Sequence, residues 1–256
     1  MNTIIQPLST LKKVKQLFAN RINLLYIEDN EHVNFILIDE YFRSQIFNKK
    51  SAKTVEEAKR YLLSKTPYHC WILDLSLERH NDGFELLKSR THQPYCVVIS
   101  GAQSMTDASN AIKHGAYTCW DKNDILMKNP HCFLKEICSL SALSFALKTR
   151  KPAKFSMFIL LINDFVKTYE EWAKYSCINI NTLFDSIKDE TGMTPQQFLC
   201  LFHCLYFNCI SDCLVQSHAG FKEAFNEIQE RLGFYERCSE YVVAHYDKVY
   251  KPLFNI

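Results

Sequence analysis

Five short apolar runs are spaced along the first half of the chain, and four of them end in polar or charged side chains. Ile22–Ile27 runs into Glu28-Asp29, Trp71-Ile72-Leu73 into Asp74, Tyr95–Ile99 into Ser100-Gly101, and Ala116–Trp120 into Asp121-Lys122. Ala52–Val55 is the weaker fifth, second in chain order. Helical spacing fills the gaps: Val33 to Phe42, Glu56–Leu63, Phe84–Lys88 after an Asp82-Gly83 turn, and Asp107–His114 closing on Gly115. A long amphipathic stretch, Phe133–Leu147, follows the last run. Short apolar runs alternating with helical periods predict a parallel five-stranded sheet covered by helices on both faces, a doubly wound α/β fold.

In such sheets ligands bind beyond the carboxyl ends of the strands. Glu28, Asp29, Asp74, Ser100 and Lys122 all fall there. An acid at one strand end is usually a solvated cap, but an ordered set from four strands is a rarer coincidence. Clustered carboxylates attract a hard divalent ion such as Mg²⁺, which prefers oxygen ligands. A lysine and a hydroxyl beside them suit the oxygens of a transferring phosphoryl group, and one carboxylate can act as the nucleophile.

Residues 22–148 resemble a response-regulator receiver domain. The resemblance is carried by Leu25-Tyr26-Ile27-Glu28-Asp29-Asn30, Ile72-Leu73-Asp74-Leu75, Asp82-Gly83-Phe84-Glu85-Leu86-Leu87, Val97-Val98-Ile99-Ser100-Gly101-Ala102 and Ala111-Ile112-Lys113-His114-Gly115-Ala116, with Lys122 seven residues after Gly115. It implies a flavodoxin-like sheet and Asp74 phosphorylated by a sensor histidine kinase or phosphotransfer protein. It also implies Mg²⁺ held by Glu28, Asp29, Asp74 and the backbone carbonyl of Ser76, with Ser100 and Lys122 on the phosphoryl group. The chain departs from the family at Cys119, where an aromatic is usual, at Asn123, where proline usually follows the lysine, and in the loop after Asp74, which carries one extra residue before Gly83.

Beyond Lys151-Pro152 the pattern is helical: Phe158–Tyr169, Glu170–Cys177, Thr182–Glu190, Pro195–Val215, Gly220–Leu232 and Ser239–Tyr250. Asn179 suits an N-cap, Gly192 a C-cap, and Pro195 a first helical turn. Two short helix–turn–helix units joined by the 195–215 helix are expected, the second turning at Gly233-Phe234. This half resembles the AraC/XylS DNA-binding domain through Ala173, Ile178, Asn179, Leu183, Ile187, Lys188, Gly192, Thr194, Pro195 and Phe198, then Ile228, Gly233, Phe234 and Pro252. The resemblance implies a transcriptional output that contacts DNA through Asn181, Thr182, Lys188, Lys248 and Lys251. His203 replaces the customary arginine of the first unit, and Asp185 and Asp189 lie on its reading helix. Acids there work against both phosphate attraction and base readout, so an output domain that binds a protein partner is the alternative.

The expected organisation is an extension over 1–21, a receiver over 22–150 and a helical output domain over 151–256. Formal charge divides unevenly, −3 beyond residue 150 and +5 before it, for a total of +2. Opposite signs predict that the two halves dock; a homodimer is a further option. The eleven cysteines are expected reduced and mostly in the core. Cys200 and Cys204 should face one side of their helix, Cys209 and Cys213 the other. Neither a signal peptide nor a membrane span is expected, which points to the cytoplasm. No nucleophile–base pair marks the second half, so a phosphoacceptor rather than a turnover enzyme is expected.

Overall fold

The computed structural model describes residues 9–64, 66–77, 82–88, 95–101, 105–128, 130–214, 218 and 220–255. Five parallel strands, β1 (Ile22–Ile27), β2 (Phe47–Ala52), β3 (Cys70–Asp74), β4 (Cys96–Ser100) and β5 (Thr118–Asp121), form one sheet in the order β2-β1-β3-β4-β5. The three central strands are apolar because both their faces are covered. Side chains alternate: Leu24 and Tyr26 join one core cluster, Leu25 and Ile27 the other.

The second strand lies earlier than its apolar signal. Its edge position leaves Asn48, Lys49 and Lys50 only partly covered, which hid its alternation. The residues expected as strand are in part a helix start: Thr54 caps α3 (Val55–Leu63) by accepting from the Glu57 N–H.

On one face lie α3, α4 (Asp82–Lys88) and α5 (Met105–Lys113), whose buried side chains share a cluster with Leu25, Leu73 and Val98. On the other lie α2 (Glu31–Phe35), which continues as a π-helical stretch Ile36–Tyr41, and α6 (Pro130–Ala146). A second π-helical turn, Asp124–Lys128, links β5 to α6. Proline at the first position starts α6 one turn before its apolar period begins.

Helix α6 is buried along most of its length, with the sheet on one side and α10 (Pro195–Cys213) on the other. The N-terminal helix α1 (Ser9–Leu17) packs on α10 and α12 (Leu232–His245), and buries Leu11 and Val14 in the same cluster. A single apolar core therefore runs from the sheet through α6 into the helical region. Lys15 pairs with Asp212, and Lys135 with Glu227, so basic groups of the first half meet acids of the second, as the charge asymmetry suggested. The central α10 holds its entry with a capping box, in which Thr194 and Gln197 satisfy each other's backbone N–H groups. Such a cap contributes about 1 kcal/mol. Cys200, Cys204, Cys209 and Cys213 are all buried, because α10 is covered on both sides.

The remaining helices are α7 (Phe155–Asn163), α8 (Tyr169–Tyr175), α9 (Ile180–Thr191), α11 (Phe221–Glu230) and α13 (Lys251–Phe254), with a π-helical stretch Tyr246–Tyr250 before the last. Two helices joined by a short turn, α8 and α9, lie where the first unit was expected. Asn179 caps α9, and Gly192 ends it at φ 76°, the left-handed conformation glycine adopts without strain. The expected second unit is not built that way. Gly233 and Phe234 lie inside α12, and Arg231 alone separates it from α11. The cause is the spacing of Tyr235, Cys238, Ser239 and Val242, which gives α12 one buried face against α10. Among the described residues no helix is long and apolar enough to cross a membrane.

Candidate functional site at the carboxyl edge of the sheet

Parallel pairing brings the ends of β1, β3, β4 and β5 to one rim. Ile27 lies beside Leu73, Asp74 beside Ile99, and Ser100 beside Asp121. The first residue after β1, Glu28, is fully buried, and Asp74 and Ser100 are nearly so, while Asp29 faces solvent. Just past β5, the Lys122 Nζ reaches back to Glu28 Oε2 at 2.7 Å and Asp74 Oδ2 at 2.9 Å. Other donors position the carboxylates: the Asn30 N–H bonds Glu28 Oε1 at 3.1 Å, and the Ser76 N–H bonds Asp74 Oδ1 at 3.2 Å.

Sequence reasoning missed Tyr26, whose hydroxyl donates to Glu28 Oε2 at 3.3 Å. The signal was available, since residues two apart in a strand share a face. Gly83 mattered more than a turn residue would. A Cβ there would lie 2.2 Å from the Asp74 carbonyl oxygen and 2.6 Å from Leu75 Cα. The start of α4 is pressed onto the end of β3, and the Gly83 N–H bonds the Leu75 carbonyl at 3.2 Å.

Burial pushes Glu28 up to about 7, reinforced by the Asp74 charge and opposed by Lys122. Asp74 is raised for the same first reason, burial, with Lys122 and the Ser76 N–H acting against it. Two carboxyl groups out of water so close together are tolerated because a cation lies between them. One oxygen each from Glu28, Asp29 and Asp74 lies within 4.8 Å of the others. An all-oxygen set with an exposed member suits a hydrated divalent cation such as Mg²⁺, and the ammonium of Lys122 already marks the rim as cation-favouring.

A family match agrees with this geometry. Residues 24–126 match the response regulator receiver domain family. The N-terminal α/β unit is a receiver domain. The helical region lies outside the matched residues. The chain is 31% identical over 131 residues to an NtrX-like response regulator of Rickettsia felis (strain ATCC VR-1525 / URRWXCal2), a match covering 48% of this chain and 26% of that protein. The chain thus spans about a quarter of that relative's length. Two solved structures are similar to parts of it. One is the signal receiver domain of a DNA binding response regulator from Colwellia psychrerythraea 34H, at 23% identity over 40% of this chain and 85% of that one, TM-score 0.33. The other is a Burkholderia pseudomallei response regulator with a phosphorylated aspartic acid, calcium ion and citrate, at 19% identity over 63% and 96%, TM-score 0.35.

In this receiver domain Cys119, at the usual aromatic position, packs half-buried against the α3–α5 face. The neighbouring Trp120 faces the other way, with its ring against Phe133 and its Nε1–H donating to Glu136 Oε2 on α6 at 2.9 Å. Glu136 Oε1 is buried without a partner among the described residues, and burial raises the carboxyl to about 7. The folded state therefore holds this proton to higher pH than the unfolded chain, whose value is near 4.5. The stability it contributes is fully present below about 4.5 and lost as pH rises through about 7. Glu136→Gln should raise the thermal midpoint at pH 8 and leave it nearly unchanged at pH 5. The gain should be about 2 kcal/mol after allowance for partial exposure, readable by calorimetry at the two pH values.

The residues considered for DNA lie apart from this rim. Asn181 and Lys188 are exposed on α9, where Thr182 is half-covered and its N–H is taken by the Asn179 cap. Lys248 and Lys251 are exposed near the chain's end, with Lys251 facing Asp247 at 3.7 Å.

Proposed function

We propose that this receiver domain accepts a phosphoryl group on Asp74 from a histidine kinase or phosphotransfer protein. The observation that carries the proposal is the Lys122 ammonium bridging Glu28 and Asp74 at the carboxyl rim. An Asp74 carboxylate oxygen attacks phosphorus and forms an acyl phosphate, while the donor's phosphorus–nitrogen bond breaks and the nitrogen keeps the electron pair. Lys122 turns from its carboxylates toward the new phosphoryl oxygens, and Ser100, at the end of the adjacent strand, is placed to donate to another. The Ser76 N–H holds Oδ1 of the Asp74 carboxylate, and Oδ2 lies against the Lys122 ammonium. Glu28, Asp29, Asp74 and the Ser76 carbonyl are the groups to hold Mg²⁺, which when bound neutralises charge on the transferring group. With acetyl phosphate and Mg²⁺ the chain should gain the mass of one phosphoryl group, and Asp74→Asn should not. Equal labelling of the variant would refute the assignment.

Two outputs compete for the helical region. A DNA-binding transcriptional output would use Asn181, Thr182, Lys188, Lys248 and Lys251. A protein partner is favoured by the exposed surface of α8 and α9, where Tyr175, Ile180 and Phe184 stand in solvent beside Asp185 and Asp189. Apolar side chains rimmed by acids repel phosphate backbones and suit a protein surface. Salt-sensitive gel shifts with DNA fragments would return the reading to DNA.

A further inference from the structure

At the opposite, amino edge of the sheet lies a half-open cavity of about 290 Å³, bounded by the starts of β1 and β3, the end of α6 and the helix α13. We propose that this cavity binds a small planar aromatic carboxylate. Its electrostatics select an anion. Arg21 and Lys148 both line it, no acidic side chain does, and neither cation forms an ion pair among the described residues. His69 supplies a directed donor. Its Nδ1 accepts from the Asn23 N–H at 2.8 Å, so the ring proton sits on Nε2. The ring is part of the cavity's lining. Burial holds the imidazole down to about 4, which keeps it a neutral donor at physiological pH.

Aromatic side chains form part of the walls, with the Lys148 ammonium 5.6 Å from the Phe254 ring centre. Phe145 and Phe254 stack at 4.8 Å and 21°, and the His69 ring lies 5.2 Å from Phe145. The volume is near the lower end of ligand pockets, about 300 Å³, and suits one or two fused rings. A planar two-oxygen group can take the guanidinium fork of Arg21 in bidentate fashion.

Backbone strain points to the same place. Of the five non-glycine residues with positive φ among those described, three line this cavity: Lys148, Thr149 and Asn255, the last as the C-cap of α13. A β-branched residue such as Thr149 at φ 61° is uncommon, and such strain collects at ligand sites.

The test is calorimetric titration of 2-naphthoate into the full chain, with the neutral 2-naphthamide and inorganic phosphate as controls. Saturable binding of 2-naphthoate is expected, weakened at least about tenfold in Arg21→Gln and in Lys148→Gln, with naphthamide and phosphate each weaker by a similar factor. Leu253→Trp, which fills the cavity, should abolish binding. Should that variant not fold, Arg21→Gln carries the decision, since Arg21 is exposed and its loss leaves the core intact. No binding by the wild-type chain, equal binding by Arg21→Gln, or preference for naphthamide or phosphate would each overturn the proposal.

Discussion

Lys122→Met should lower stability by about 3–5 kcal/mol at pH 8 in metal-free buffer, the usual cost of stripping one partner from a buried ionic cluster. Glu28 and Asp74 would then face each other without the ammonium that lies 2.7 Å and 2.9 Å from them. The loss should shrink below pH 7, because burial already raises Glu28 to about 7 and a protonated neighbour removes the repulsion. Added Mg²⁺ should recover about 2–3 kcal/mol at a hundredfold excess over its dissociation constant. The gain should be larger in the variant than in the wild-type protein, whose lysine already supplies positive charge. Urea unfolding with and without Mg²⁺ at pH 6 and pH 8 measures all four quantities. A variant as stable as wild type at pH 8 would mean that the carboxylates are not held together by Lys122.

Gly83→Ala should cost about 4 kcal/mol or prevent α4 from docking. The added methyl would meet main-chain atoms, the Asp74 carbonyl oxygen at 2.2 Å and Leu75 Cα at 2.6 Å, so no rotamer change relieves the clash. Few single substitutions are so damaging, and those that are have a named steric or electrostatic cause. Moving α4 away would also break the Gly83 N–H to Leu75 carbonyl bond and displace the backbone that carries Asp74. Phosphorylation should therefore fall together with stability. Denaturant midpoints combined with acetyl phosphate labelling would show both, and a variant unchanged in either would contradict the close approach.

The rim was legible in the sequence because strand ends in a parallel sheet are fixed by where apolar runs stop. Ile27, Leu73, Ile99 and Trp120 each precede the polar groups that meet in space. Edge strand β2 was less legible, since Lys49 and Lys50 interrupt the alternation that partial burial would otherwise write. Tyr26 and Glu136 were not singled out, because a tyrosine in a strand and a glutamate in a helix are ordinary until a partner is seen. The second helix–turn–helix was misread at Gly233. Glycine often ends helices, but here the buried face of Tyr235, Cys238, Ser239 and Val242 outweighs its weak helical propensity. The cavity at the amino edge had no sequence signature at all, since it is assembled from four segments far apart in the sequence.

The burial of α6 on both sides limits the motion available to a signal. The sheet and the bundle share α6, which is buried along most of its length before residues 147–154 lead on to α7. Any message leaving the rim must travel as a small sliding of layers that stay in contact. Rearrangement on that scale is bounded by side-chain dimensions rather than tether length, so the helical region and the rim would shift together by fractions of a helical turn.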